Sequence, residues 1–433
     1  MNRNARTCLA VTPLWSVAYS LSFFYLSLYF RACGVSDAQL GTLVTAGAAS
    51  SVVFSFLGAS LVDRMGRRNS TLVFDLAGSA LPMILFAIDG RFAAALAGSI
   101  LSNAARVMNI GFALLMTEDS DDGERSTAFN VFNIVFIAAG LIVPLAGTIV
   151  EKAGILSAER SFLALAAAVM TILALLRYRY TSETRTGNLL MERLKAGRMK
   201  AAEAGDRAFL PAWKALLAPY GTALRFLSSD RKAAGVVAAN VLFYVYYSVG
   251  TIGSFYFAPF FADALGMDAR TVSLVGAVFS AGTLLSMVLV NPCLLRKVGP
   301  RTASALGAVL NICGLLPLVF LGSGSPFPVF FAVGFASLGY GMIKSGIDAA
   351  LSTCFGDGKP GGGAEEARAG VYAISNLASS VLVMGFGGLS ALLYASTPRL
   401  VPVLSTTLLA AVLVMLGSRP NREAGPASPA GSA

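Results

Sequence analysis

Twelve long apolar segments constrain this chain more than any other feature of its sequence. Each holds about 20 residues with few charges, the length that a helix needs to cross the hydrocarbon core of a bilayer. Overall, 56% of the 433 residues are hydrophobic and 13% are charged, whereas soluble domains average about 25% charged residues. Because only helices and closed barrels can cross a bilayer, we predict an all-α integral membrane protein.

The predicted spans form two groups of six, separated by a long polar stretch. They cover residues 11–32, 38–60, 69–89, 92–116, 127–150 and 159–178, then 233–262, 270–292, 302–321, 326–350, 370–393 and 399–417. We therefore predict an N-terminal six-helix half at 1–178, a cytoplasmic linker at 179–232, a C-terminal half at 233–418 and a disordered tail at 419–433.

The linker has a pattern of its own. Residues 189–204 and 211–226 alternate apolar and basic side chains, which is typical of helices that lie on an anionic membrane surface. A regulatory docking site is the alternative for these two segments.

The basic residues indicate how the bundle is oriented. Of the 33 lysines and arginines, 25 lie at or beyond span ends on the side of the N-terminus, and 6 lie on the other side. Loops rich in Lys and Arg stay in the cytoplasm. Both termini are therefore predicted to be cytoplasmic.

The two groups of six spans are internal repeats. The stretch from Ser22 to Gly34 corresponds to the stretch from Ser254 to Gly266, and Gly66 corresponds to Gly299. Repeated six-helix units are typical of secondary transporters that bind substrate between the two halves near the membrane midplane.

The loop between the second and third spans carries the most specific motif, Leu61-Val-Asp63-Arg64-Met-Gly66-Arg67-Arg68. It resembles the signature of the major facilitator superfamily, Gly-x-Leu-Ala-Asp-Arg-x-Gly-Arg-Arg/Lys, with Ala59 in place of the first glycine. The resemblance covers nearly the whole chain. It implies twelve transmembrane helices in two pseudo-symmetric halves and transport by alternating access.

Arg106 is the most informative single residue, because a charge near the middle of a span costs about 2.5–3.5 kcal/mol and should face the interior. Arg106 and Asn109 resemble the helix-4 motif Arg-x-x-Gln-Gly of drug–proton antiporters, where the arginine is linked to proton coupling. A role in helix packing is the alternative. In the fifth span, Pro144 and Gly147 match the antiporter motif of that span, whereas Gly140 is displaced from the motif by one position.

Lys344 and Asp348 lie four residues apart in the tenth span, so they share a helix face and can pair. We consider a self-neutralised pair, a coupling carboxylate at Asp348, and a pair of cations formed by Lys344 and Arg106 that binds an anionic substrate. Asp75, in the third span, is expected to serve packing or loop pairing.

Charged residues around the signature loop predict a cytoplasmic gate. Glu118 and Asp119 follow the fourth span and are expected to pair with Arg64, Arg67 or Arg68. Asp63 is expected to act on the start of the eleventh helix, whose N-terminus is partially positive. In the family, such contacts break as the halves rock.

Polar and aromatic residues predicted to lie near the midplane could line the substrate cavity. They include the stripe Asn240, Tyr244 and Tyr247, and the full predicted set is Tyr19, Tyr25, Asn109, Asn133, Asn240, Tyr244, Tyr247 and Asn376.

We expect neither a metal site nor a cofactor, because the chain has no histidine and its five cysteines are scattered. The expected partners are a small-molecule substrate, protons as coupling ion and the lipid bilayer, with no nucleic acid. We expect a monomer in the bacterial cytoplasmic membrane and no enzyme activity.

The leading hypothesis is proton-coupled efflux of amphipathic compounds. The alternatives are organic-anion transport and a non-transporting membrane sensor. Sugar-porter signatures are absent, since the residues after the sixth span are Thr181-Ser-Glu183-Thr-Arg185.

Overall fold

The computed structural model describes residues 1–119, 122–189, 191–192, 196, 220–221, 223–322, 326–353 and 364–417. Within these residues, twelve helices are long and apolar enough to cross a membrane, and each overlaps a predicted span. We number them α1 (Arg3–Ala32), α2 (Asp37–Gly58), α3 (Arg67–Ile88), α4 (Phe92–Thr117), α5 (Val131–Ala153), α6 (Ile155–Tyr180), α7 (Arg231–Val249), α8 (Ala269–Val298), α9 (Pro300–Val319), α10 (Phe327–Leu351), α11 (Ile374–Ser396) and α12 (Leu400–Gly417). The all-α, twelve-helix prediction is confirmed.

Some helical segments extend beyond these apolar portions. The helix that contains α2 continues to Met65, and the one that contains α11 begins at Ala364. The helical stretch that contains α5 begins with a helix at Asp122–Ala138. The predicted surface helices at 189–204 and 211–226 and the predicted tail at 419–433 lie largely or entirely outside the described residues.

The prediction of one continuous helix over 233–262 is wrong in its second half. α7 ends at Val249, residues 250–256 form turns, and a separate short helix follows at Phe257–Asp263. Glycines at positions 250 and 253 weaken helix formation there. α1 is interrupted in the corresponding place, before its last segment Leu26–Ala32, so the break is common to both repeats.

Paired glycines support the internal repeat at the level of backbone conformation. Gly34 and Gly266 have φ values of 90° and 66°, and Gly66 and Gly299 have φ values of 84° and 78°. Side chains other than hydrogen are strained at such angles. In each half, the chain therefore makes a turn at a glycine in the same two places.

Two pairs of helices make most of the contact between the halves. α2 of the N-terminal half packs on α11 of the C-terminal half, and α5 packs on α8. The helices approach closely at small residues. A Cβ atom at Gly41 would lie 2.2 Å from the Ala391 Cβ, and one at Gly147 would lie 2.1 Å from the Ser273 Oγ. Gly147 of the fifth span therefore allows α5 and α8 to approach closely.

Because the chain crosses the bundle an even number of times, Arg3 and Gly417 lie at the same end. We call this end the terminal face and the other end the opposite face.

Candidate functional site

A cavity lies between the two halves and is walled by helices from both. It consists of two adjoining spaces of about 410 Å³ and about 600 Å³. Residues that line both spaces are Tyr19, Phe23, Phe136, Ile137, Tyr247, Phe255 and Tyr340. Sites for small ligands have volumes of roughly 300–1,000 Å³ and mostly apolar walls. The cavity can therefore hold a small molecule.

Aromatic rings form two of the cavity walls. On α1, Trp15 and Tyr19 are stacked at 5.4 Å, and Tyr19 and Phe23 at 4.9 Å. The i, i+4 spacing of these three residues places their rings on one helix face. On the other side, Tyr247 of α7 stacks on Tyr340 of α10 at 6.4 Å. Flat rings of this kind pack well against planar apolar groups.

Arg106 joins the two halves in the middle of the bundle. Its Nη2 donates a hydrogen bond of 2.7 Å to the Tyr244 hydroxyl, and its guanidinium carbon lies 5.4 Å from the centre of the Tyr244 ring. Its Nε is buried without a hydrogen-bond partner in the described part of the chain. No salt bridge among the described residues neutralises this cation.

Lys344 and Asp348 form an ion pair on α10. The Lys344 Nζ lies 2.5 Å from Asp348 Oδ2, and Lys344 lines the larger space. The Asp348 side chain is 51% exposed. The organic-anion hypothesis uses Lys344 and Arg106 as two cations that bind the substrate. Lys344 is already paired with a carboxylate of its own helix, so Arg106 is the cation that remains for an anionic ligand.

The predicted asparagines separate into two groups. Asn109 and Asn133 line the larger space. Asn240 instead donates a 2.7 Å hydrogen bond to the Ser375 hydroxyl, which ties α7 to α11, and Asn376 lines neither of the two spaces. The prediction that Asn240 and Asn376 line the cavity is therefore corrected.

Tyr25 is also placed elsewhere than predicted. It is fully buried, and its hydroxyl donates a 2.5 Å hydrogen bond to the Ala269 carbonyl oxygen at the start of α8. Tyr25 follows Phe23 by only two residues, a spacing that places it on a different side of the helix from the column formed by Trp15, Tyr19 and Phe23. Tyr25 closes the opposite face rather than lining the cavity.

Arg67 organises the signature loop. This residue is buried, and its Nη1 contacts Asp63 Oδ1 at 2.8 Å while its Nη2 contacts Glu118 Oε1 at 3.0 Å. The side chain thereby links the helices that contain α2, α3 and α4. Asp119 is exposed, as is Arg64.

Arg68 differs from its predicted role, and Asp63 has a partner in Arg67. Arg68 donates to the Tyr178 carbonyl oxygen from Nε at 3.0 Å and from Nη2 at 2.9 Å, so it binds α6 rather than the acidic loop. Asp63 is occupied by Arg67, and the side chains of 364–370, at the start of the eleventh helix, lie outside the described residues.

Glu183, which the sequence analysis did not assign to the site, caps the start of α3. Its two carboxylate oxygens accept hydrogen bonds from the backbone N–H groups of Arg67 at 2.9 Å and Arg68 at 3.0 Å. A Cβ at Gly66 would lie 2.5 Å from Glu183 Oε2. The glycine therefore allows both the turn and the cap.

We expect Glu183→Ala to lower the stability of the N-terminal half, because two backbone donors at a partially positive helix end lose a charged acceptor. Hydrogen bonds to charged groups contribute about 1.5–3 kcal/mol. The measurement is the thermal unfolding of the purified protein in detergent. Glu192→Ala removes an exposed acid of the same segment and serves as the control; equal melting temperatures for both variants would contradict the capping role.

At the opposite face, polar contacts hold the halves together. Arg31 Nη1 of the N-terminal half lies 2.7 Å from Asp263 Oδ2 of the C-terminal half, and its Nε lies 3.2 Å from Asp37 Oδ1. Tyr394 also donates to Asp263, at 2.5 Å. Together with the bond between Tyr25 and Ala269, these contacts close this end of the bundle.

The comparisons with known proteins agree with this architecture. The chain is similar over 98% of its length to the xylose transporter XylE from E. coli, covering 100% of that chain, with a TM-score of 0.68 and 12% identity. It is similar over 96% of its length to a mutant of the nucleoside transporter NupG, covering 99% of that chain, with a TM-score of 0.67 and 12% identity.

No curated protein matches the sequence. The profile of the Major Facilitator Superfamily, however, matches residues 8–388. This match includes the signature loop, the contact of α5 with α8 and the walls of the central cavity. The chain therefore belongs to the Major Facilitator Superfamily.

Proposed function

We propose that this transporter carries small amphipathic molecules across the cytoplasmic membrane by alternating access. The observation that carries the proposal is the central cavity, whose aromatic walls come from both halves and enclose a few polar groups. Such a cavity suits a ligand with an apolar body and one polar or charged group.

The contacts at the opposite face support an inward-facing state. Arg31, Asp263, Tyr25 and Ala269 join the halves at that end, and the charge distribution predicts that the terminal face is cytoplasmic. The XylE structure with the similar fold is described as a partially occluded, inward-open conformation. To expose the cavity to the outside, these contacts would break as the halves rock.

The signature loop would then form the N-terminal side of the cytoplasmic gate. The contacts of Arg67 with Asp63 and Glu118 lie within the N-terminal half, so they hold this half rigid while it moves. Glu183 fastens the start of the linker to the same junction. We propose that the linker, over 179–232, lies on the membrane surface and tethers the two halves at 1–178 and 233–418.

Proton-coupled efflux is the mode that the helix-4 and helix-5 motifs favour, as in the drug–proton antiporter subgroup. Asp348 is the proposed proton carrier, because its side chain is half exposed, borders the cavity through Lys344, and can pass a proton to water. When Asp348 is neutral, Lys344 loses its partner and is free to meet an anionic group. The protein would work as a monomer, without a cofactor.

We expect Asp348→Asn to make transport independent of the proton gradient, because Asn cannot bind and release a proton. The measurement is substrate flux in sealed vesicles with and without an imposed pH gradient. Asp348→Glu keeps a carboxylate and should retain the response to the gradient. A gradient response in Asp348→Asn equal to that of the wild type would exclude Asp348 as the carrier.

Transport of organic anions is the second candidate, and the unneutralised Arg106 favours it. The test is a panel of lipophilic cations, neutral amphiphiles, organic anions, xylose and a nucleoside, screened by the thermal shift of the purified protein. A ligand at 100 times its dissociation constant adds about 2.7 kcal/mol of stability. Stabilisation by cations or neutral amphiphiles supports the first proposal, and stabilisation by anions supports the second.

Flux separates both proposals from a sensor. Each ligand found in the screen is loaded into vesicles that contain the protein, and its movement is followed over time. Binding without movement across the membrane would overturn the transport proposal.

A further inference from the structure

Glu159 is a buried carboxyl group that the proposed function does not use. It lies in the second turn of α6 and is 0% exposed. Both of its carboxylate oxygens are inaccessible and have no hydrogen-bond partner in the described part of the chain. Among the ion pairs of the described residues, none includes Glu159.

The surroundings of Glu159 are apolar. Its neighbours on α6, Ala158 and Phe162, belong to a cluster of buried residues with Ala146 and Val150 of α5. An ionised carboxylate without a partner is far more costly in such a place than a neutral acid. In this conformation, the Glu159 side chain therefore carries a proton.

Glu159 lies beside a contact that must open during transport. Tyr25 belongs to the same buried cluster as Ala158 and Phe162, and its hydroxyl donates to the Ala269 carbonyl oxygen of the other half. A Cβ at Gly147 would meet both the Ser273 Oγ, at 2.1 Å, and the Tyr25 hydroxyl, at 3.0 Å. When α8 withdraws, water gains access to this region, and the Tyr25 hydroxyl becomes free to bind a carboxylate.

We propose that Glu159 is a proton-binding site that holds its proton while the opposite face is closed and releases it when that face opens. The inference rests on the alternating access of the proposed function, but it does not depend on the substrate or on Asp348. It assigns to α6 a proton that is exchanged with the outer side of the membrane.

Protonation of other titratable groups near this end would affect the closed face differently from protonation of Glu159. Glu151 and Lys152 of α5, Arg160 of α6, and Asp268 and Arg270 at the start of α8 are exposed, and Tyr29 of α1 donates to the Phe86 carbonyl oxygen. Arg31 pairs with Asp37 of its own half and with Asp263 of the other half. Protonation of these two acids loosens the closed face at low pH, whereas protonation of Glu159 stabilises it. Whether low pH closes or opens this face therefore distinguishes Glu159 from the acids that pair with Arg31.

The test measures the opening of the opposite face as a function of pH. Spin labels are attached at Ser157 and Thr397, which are exposed on the two halves, in a full-length chain whose native cysteines have been replaced. In the wild type, we expect the population with the longer distance to increase as the pH rises. Glu159→Gln, which mimics the neutral acid, should keep the short distance over the pH range in which the wild type opens.

Two variants control this measurement. Glu151→Gln changes an exposed acid near the same face and should behave like the wild type, and Glu159→Asp keeps a carboxyl group and should retain a pH response. The inference is overturned if the wild-type distance does not change with pH, or if the change persists in Glu159→Gln. Vesicle flux of the wild type is measured separately, so transport can be intact while this inference fails.

Discussion

Arg106→Ala is expected to reduce transport by about 10- to 100-fold while leaving the bundle folded. Hydrogen bonds to a charged group contribute about 1.5–3 kcal/mol, and each 1.4 kcal/mol changes an equilibrium tenfold. Arg106 also supplies a positive charge in the middle of the bundle that no carboxylate of the described residues neutralises. Its loss removes a positive charge that could attract an anionic ligand without first separating Lys344 from Asp348.

Tyr244→Phe provides the matched control for this prediction. The Tyr244 hydroxyl accepts the 2.7 Å hydrogen bond from Arg106, so removing it breaks the contact between the halves but keeps the cation. If Arg106 acts on the ligand, Arg106→Ala should impair transport much more than Tyr244→Phe. If Arg106 only holds the halves together, the two variants should be equally impaired. Initial flux rates in vesicles and melting temperatures in detergent distinguish the two cases.

Arg106→Lys refines the interpretation. Lysine keeps the charge but lacks the planar group that can donate to Tyr244 and to a ligand at once. We expect an intermediate flux rate for this variant. Wild-type flux in Arg106→Ala would remove Arg106 from the mechanism altogether.

The twelve helices and the repeat could be predicted because each depends on local sequence. Span length follows from bilayer thickness, and the paired glycines mark turns where other residues are strained. The break after Val249 was missed because the segment remains apolar through 257–261, and hydropathy alone cannot show where a helix is interrupted. The matching interruption in α1 depends on two residues, Phe24 and Tyr25, that carry no breaking signal.

Within the site, side chains on the same helix were easier to predict than partners from distant segments. The spacing of Lys344 and Asp348 was sufficient to predict their pairing. Tyr340, however, lines the cavity without having been predicted, although it lies four residues before Lys344 and so shares its face. The partners Glu183 for α3 and Asp263 for Arg31 are far apart in sequence, and only the packed structure brings them together.

Asn240, in contrast to Tyr340, was predicted to line the cavity and does not. Its spacing from Tyr244 and Tyr247 suggested one cavity stripe, but a helix inside a bundle has neighbours on several sides. The side of α7 that carries Asn240 faces α11, where Ser375 accepts its hydrogen bond. Periodicity identifies which residues share a face and does not identify the helix that the face contacts.

Asp75→Asn is expected to destabilise the protein by about 3–5 kcal/mol, the usual cost of leaving one member of a buried ion pair without its partner. Asp75 of α3 and Arg177 of α6 are 2.5 Å apart, with side chains that are 1% and 6% exposed. The predicted packing role of Asp75 thus has a specific partner, Arg177 of α6. The guanidinium carbon of Arg177 also lies 5.3 Å from the centre of the Phe112 ring.

The melting temperature in detergent tests this prediction, and two further variants serve as controls. Asp89→Asn makes the same change in an exposed pair with Arg91 and should have no measurable effect, because exposed ion pairs contribute little. The double variant Asp75→Leu with Arg177→Met removes both charges and replaces them with apolar side chains, and it should be more stable than Asp75→Asn. If the double variant is as unstable as the single one, the lost stability comes from packing rather than from the uncompensated Arg177 charge. If Asp75→Asn melts like the wild type, Arg177 must reach water or another acceptor, and α6 would have to move relative to α3 to allow it.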